Sequence, residues 1–287
     1  MNGALYALRE TLPSLNLFST VFVNTPLEGT NKVVVPYHPL GANASKDFNP
    51  ATGYVFDQNS QTNSREVTVN RRKNQDLSFT SSELARQPYL DPEAKGMRAG
   101  EKLAEDIFAD ILSIVTAANY PQVDGPHAAN AFFADDIQDL DTKADELGWR
   151  RSGRGLILNH AFEGNVIKDA KVHQDAYGVN NAIRDARLPT IGNFSIAATG
   201  HIPQNGENLA GLAAYESAML IAFAPIAPAD DSDTIVYERM SDPDGSGIVV
   251  EYREWFDRNM DTKRCILESN YGFGVGEENA LIRLVTP

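Results

Sequence analysis

His38, His127, His160, His173 and His201 are the side chains best suited to hold a metal or move a proton, yet no two have the spacing of paired ligands. His160 and Glu163 would share one helical face, but a zinc site needs three or four ligands. Asp135, Asp136, Asp139, Asp141, Asp145 and Glu146 crowd one stretch, and such a row on a helix reads as a solvated face. Asp242-Pro243-Asp244-Gly245 matches half of a calcium loop without the later glutamate, so a tight turn between strands accounts for it. Gly153-Arg154-Gly155 precedes a strand rather than a helix, the wrong order for a dinucleotide. Phe273-Gly274-Val275-Gly276 falls among late strands, where bends explain the glycines. There is no Gly-x-Ser-x-Gly elbow and no P-loop. Cys265, the sole cysteine, excludes an intramolecular disulfide and fits a reducing compartment; it reads as a buried, inert thiol. No catalytic constellation emerges, so no enzyme, cofactor or metal is expected.

The elements around these residues are uneven. Up to Leu90 the sequence is polar, strand-like and poor in core material. Leu5, Leu8, Leu12 and Leu15 predict a short helix over 4–16, broken by Pro13. Val21-Phe22-Val23 and Lys32-Val33-Val34-Val35 predict strands about a turn at Pro26-Leu27-Glu28-Gly29. Residues 41–64 are mostly Asn, Ser, Thr, Gly and Gln. Val67 and Val69, then Leu77 and Phe79, alternate about an expected turn at Asn74-Gln75-Asp76. A two-stranded unit is marginal alone in water and needs a surface to lie on.

Asp91-Pro92-Glu93 then opens an amphipathic helix expected to reach about Asn119, roughly 42 Å at about 1.5 Å per residue. Leu103, Ala104, Ile107, Ile111, Ile114, Val115 and Ala118 form its apolar stripe; Glu101, Glu105, Asp106 and Asp110 mark the wet side. Gly96 and Gly100 weaken it unless another backbone approaches closely. A second helix is predicted over 131–147, stopped by Gly148, and a short one over Ala161 to Asp169. Leu156-Ile157-Leu158 and Phe194-Ser195-Ile196 predict strands, followed by an apolar stretch from Ala213 to Ala224. Further strands are expected over Thr234 to Arg239, Gly247 to Trp255, Arg264 to Tyr271 and Ala280 to Val285. The class is α+β.

The 287 residues suffice for one large or two small domains, and 42% hydrophobic content is ordinary for a folded chain. No secretory signal or membrane span is evident. Charge is divided: residues 1–90 carry 8 Lys/Arg against 7 Asp/Glu, residues 91–287 carry 17 against 32. The acidic body argues against bulk electrostatic binding of nucleic acid. Arg71-Arg72-Lys73 forms a basic knot that would either meet an acidic surface on another copy or lie at a solvated hairpin tip.

The order of these elements resembles the major capsid protein of tailed bacteriophages, with its Hong Kong 97-like fold. The resemblance runs from about Val21 to Leu284. It is carried by Gly29-Thr30-Asn31-Lys32-Val33-Val34-Val35-Pro36 and the polar stretch to Thr80. The helix from Ile107 to Ala118, Arg154-Gly155-Leu156-Ile157-Leu158-Asn159 and Tyr271-Gly272-Phe273-Gly274-Val275 complete it. It implies an N-terminal arm (1–33), an extended β-hairpin loop (34–90), a peripheral domain with a spine helix (91–180), an axial domain (181–229) and peripheral return strands (230–287). It further implies pentamers and hexamers of this chain forming an icosahedral head in the virion, assembled in the host cytoplasm. The head would enclose double-stranded DNA without sequence specificity. Arg71, Arg72 and Lys73 would lie at subunit contacts, with a portal and a separate scaffolding protein as partners and no membrane. An acidic inner wall would keep packaged DNA from adhering. An encapsulin-type nanocompartment shell shares the same fold and is the nearest alternative; an α+β hydrolase is another.

Overall fold

Asp91 opens the long helix as its residue type requires. Its Oδ1 accepts hydrogen bonds from the Glu93 and Ala94 amides at 3.0 and 3.1 Å, and Pro92 takes the first helical position. The computed structural model describes residues 15–23, 31–37, 47–54, 63–86, 91–170, 172, 190–226, 234–241 and 248–287. Most of the expected helix over 4–16, the turn at 26–29, much of 41–64, His38, His173 and Asp242-Pro243-Asp244-Gly245 lie outside them.

Among the described residues the chain is α+β. A short helix α1 (Ser81–Arg86) precedes the long α2 (Pro92–Leu112). With 21 residues α2 spans about 32 Å, not 42 Å, because its end is capped from elsewhere. Asn205 Nδ2 donates to the Leu112 and Val115 carbonyls, and the Ser113 hydroxyl donates to the Asp110 carbonyl, satisfying groups that a further turn would have used. Helices α3 (Ala134–Glu146) and α4 (His160–Lys168) follow. Gly148, at φ +79°, reverses the chain just after α3, a conformation that side chains with a Cβ resist.

Strands β2 (Lys32–Tyr37) and β3 (Asn63–Thr68) form a hairpin, with Val33 opposite Val67 and Val35 opposite Arg65. A six-stranded sheet takes β1 (Ser19–Val23), β4 (Arg71–Thr80), β9 (Met219–Phe223), β10 (Thr234–Ser241), β11 (Val249–Asp257) and β12 (Thr262–Val275). Its order is β1-β9-β12-β11-β10, with β4 along the other edge of β12. A five-stranded sheet orders β5 (Val123–Asp124), β13 (Leu281–Val285), β8 (Leu209–Tyr215), β6 (Arg154–Leu158) and β7 (Phe194–Ala198) as β5-β13-β8-β6-β7. Every residue of β6, β8 and β9 is buried, the pattern of strands covered on both faces.

Two expectations need correction. Asn74-Gln75-Asp76 is no turn: these residues pair with Glu268, Leu267 and Ile266 on β12, whose open edge overrides local turn preference. Phe273-Gly274-Val275 lies within the 14-residue β12 rather than at a bend. Each sheet draws its strands from several stretches of the chain. Residues 194–215 and 219–223 of the expected axial segment fall in different sheets, and β13 leaves β10–β12 for the five-stranded sheet, where Leu281, Ile282 and Leu284 are buried.

The hairpin lies on its own subunit. Val33, Val35, Tyr37, Val67 and Val69 bury against Leu220, Ala222 and Ala224. A Cβ at Gly272 would stand 2.2 Å from the Thr68 carbonyl oxygen, so glycine there is what admits the close approach. The outer face of β2 remains open, with Val34 56% exposed.

Candidate functional site

The densest polar cluster sits where β4 crosses α2 and β12. Arg71-Arg72-Lys73 is no hairpin tip but the start of β4, opposite Tyr271, Asn270 and Ser269. Arg71 Nη1 reaches Asp110 Oδ1 at 2.5 Å, with its guanidinium 4.5 Å from the centroid of the Phe273 ring. Tyr271 donates its hydroxyl to Asp110 Oδ2 at 2.7 Å, and Lys73 Nζ donates to the Asp106 carbonyl at 2.8 Å. Arg72 donates through Nε and Nη2 to Glu268 Oε2 at 2.8 and 2.5 Å. The other Glu268 oxygen lies 2.7 Å from Arg253 Nε, an ion pair off the ideal hydrogen-bond angle. Asp110 is therefore no wet-side residue. It is the anion that ties β4 and β12 to the long helix.

A second buried carboxylate stands nearby. Glu251 accepts from the Tyr237 hydroxyl at 2.5 Å, the Asn270 amide at 3.0 Å and the Ile226 backbone at 3.1 Å. Burial first, then the Glu251 carboxylate, pushes the Tyr237 phenol up to about 12. Burial also raises the Tyr271 phenol, reinforced by Asp110, so both phenols stay protonated donors. This chemistry fastens strands; it offers no poised nucleophile or base.

Several of the other candidates, among the described residues, are held in ion pairs and hydrogen bonds within the subunit. Arg154 is buried, and it pairs with Asp141 and Asp145 while donating to the Trp149 and Arg150 carbonyls at 2.7 and 2.9 Å. The Arg154 guanidinium holds the Asp145 carboxyl below its usual range. Asp136 accepts from the Phe133 amide at 2.7 Å, starting α3. The acidic row is thus partly internal fastening and not wholly a solvated face. His127 Nε2 is 2.8 Å from Asp124, His160 Nδ1 is 3.5 Å from Glu163 and His201 Nε2 is 3.3 Å from Glu105. Among the described residues no three metal-capable side chains converge. Cys265 is buried, and burial raises its thiol pKa. No described helix is long and apolar enough to cross a membrane.

Sequence reasoning missed Asp110, Glu251, Glu268 and Arg253 as a linked set. A usable signal existed, namely charged residues inside otherwise apolar strands, as in Val249-Val250-Glu251 and Ile266-Leu267-Glu268.

No protein-family model matches the chain, and no curated protein matches it in sequence. Solved structures do match in fold. A capsid structure of the cyanophage P-SCSP1u aligns at TM-score 0.62 and 13% identity, covering 96% of this chain and 87% of the other. A structure from Mycobacterium phage Che8 aligns at TM-score 0.56 and 16% identity, covering 88% and 84%. A virus-like particle from Pyrococcus furiosus aligns at TM-score 0.56 and 11% identity, covering 99% and 96%. Across nearly its whole length, this chain has the α+β fold of solved phage capsid subunits.

Proposed function

We propose that this chain is the major capsid protein of a tailed bacteriophage, with a Hong Kong 97-like fold. Its pentamers and hexamers form an icosahedral head around double-stranded DNA. The observation that carries this reading is the alignment over 96% of the chain with a cyanophage capsid subunit, which takes in the front segment as well as the body. Also part of the proposal are an N-terminal arm over 1–33, an extended loop over 34–90, a peripheral domain over 91–180 with α2 as its spine helix, an axial domain over 181–229 and peripheral return strands over 230–287. Arg71 and Arg72 keep side chains 44% and 53% exposed, so acidic groups of a neighbouring copy can share a charge already fixed by Asp110 and Glu268. Contact between copies through Arg71, Arg72 and Lys73 is part of the proposal. So are the portal and scaffolding partners, assembly in the host cytoplasm and residence in the virion. An acidic lining facing DNA is proposed on the charge division of the chain.

Purified full-length protein examined by negative-stain microscopy, alone and with a co-expressed scaffold, tests the reading. Closed shells with five- and six-fold vertices are expected; a monodisperse monomer under both conditions contradicts it. A nanocompartment shell is the second reading, and the likeness to the Pyrococcus furiosus virus-like particle supports it no better than the phage head. Shells that enclose a protein cargo and exclude DNA would support that alternative over the phage head.

A further inference from the structure

The structure holds an exposed aromatic knob and, elsewhere in the same chain, an apolar groove. The knob is a tight turn over 47–54. The Gly53 amide donates to the Asn49 carbonyl at 2.7 Å, and Asn49 Oδ1 accepts from the Ala51 amide at 2.9 Å. This turn sets the Phe48 and Tyr54 rings 4.9 Å apart, yet leaves them 56% and 76% exposed. Two large rings ordered against each other and facing water are costly for an isolated subunit and well suited to an interface.

The groove, about 370 Å³, lies between the start of α2 and the outer surface of β4, β11 and β12. Leu77, Phe79, Leu84, Tyr252 and Leu267 supply its apolar walls. Gly96 lines it with nothing within 4 Å of a built Cβ, so the glycine leaves open space rather than admitting a backbone of this subunit. Charges match too: Asp47 flanks Phe48 on the knob, and Lys95 overhangs the groove with Nζ 5.1 Å from the Phe79 centroid. Among the described residues neither Asp47 nor Lys95 has an ion-pair partner within 4 Å.

We infer that the Phe48/Tyr54 knob of one copy inserts into the Leu84/Gly96 groove of another, with Asp47 facing Lys95. The inference rests on the shell reading and specifies one contact within it. A convex patch meeting a different, concave patch is a head-to-tail contact, the type that closes rings when the rotation allows. Two aromatic side chains bury about 150–250 Å² each, a payload suited to a groove of this size.

The test incorporates p-benzoylphenylalanine at position 48 of the full chain, which keeps an aromatic ring there. Nitrogen-15-labelled and unlabelled populations are mixed before assembly, and the particles are irradiated. Mass spectrometry is expected to find mixed-isotope cross-links from position 48 to peptides containing Leu84 or Gly96. Particles that form normally but cross-link elsewhere, or only within a single isotope, overturn the contact while leaving the shell reading intact. As a second arm, Phe48→Ser/Tyr54→Ser and, separately, Gly96→Phe should each cut particle yield about tenfold or more, with subunit circular dichroism unchanged. Full particle yield from folded Gly96→Phe overturns the inference as well.

Discussion

The five-stranded sheet and the front hairpin solve the same problem differently. In the body, β6 and β8 are buried at every position, and the polar exception, Arg154, is enclosed by Asp141, Asp145 and three carbonyls. The β2–β3 hairpin buries one face against β9 and leaves the other to water. One region is complete within a single subunit, and the other is half complete. The sequence suggested that the front portion, poor in core material, needs a surface to lie on. The structure narrows this to its outer face and its aromatic turn, since β4 pairs along ten residues of β12 in its own subunit.

The largest effect should come from breaking the body. Arg154→Ala leaves Asp141 without its cation and removes the hydrogen bonds to three carbonyls, for a loss of about 3 kcal/mol in urea unfolding of the subunit, at the low end because Asp145 stays partly hydrated. A loss under about 1 kcal/mol would mean that the region is not held as described. Gly272→Ala attacks the seam instead. The added methyl meets the Thr68 carbonyl, and overpacking of this kind costs about 1–3 kcal/mol. Faster limited proteolysis near 63–70, with the body's protection intact, is the expected outcome; uniform destabilisation would erase the distinction between the regions.

A third change sharpens the comparison through pH. The Tyr237 phenol titrates near 12 when folded against about 10 when unfolded, so its contribution is complete below about pH 10 and is lost as pH rises towards 12. Tyr237→Phe should flatten the fall in stability across that window, measured by denaturant unfolding at stepped pH. The flattening will be partial, because Tyr120, Tyr252 and Tyr271 are raised as well. An unchanged alkaline slope would show that burial and Glu251 together do not raise the Tyr237 phenol. The smallest effect belongs to the Lys32–Glu66 pair on the exposed face of the hairpin. Lys32→Gln should leave the subunit melting temperature unchanged, and a clear drop would mean that this open face already carries stability alone.

What was legible in the sequence was local. Asp91-Pro92 announced the start of α2, Gly148 the end of α3, and the apolar run at Leu156 a buried strand. What was not legible depended on distant partners. The end of α2 is set by Asn205, 93 residues beyond Leu112, so a helical pattern that continued to Asn119 overran it. Asn74-Gln75-Asp76 looked like a turn because β12, its partner, begins only at Thr262. Asp110 sits on the polar side of its helix by spacing, yet Arg71 and Tyr271 converge there from other elements. The Glu251 and Glu268 sites each needed three strands in register to be seen.

In the proposed shell the front hairpin is finished by another copy, whereas the five-stranded sheet is finished within its own subunit. Hydrogen–deuterium exchange on the free subunit and on the assembled particle measures this directly. The account predicts a marked gain in protection at 32–37 and 63–68 on assembly, with 154–158 and 209–215 already protected in the free subunit and unchanged. Equal protection of the hairpin in both states would contradict it.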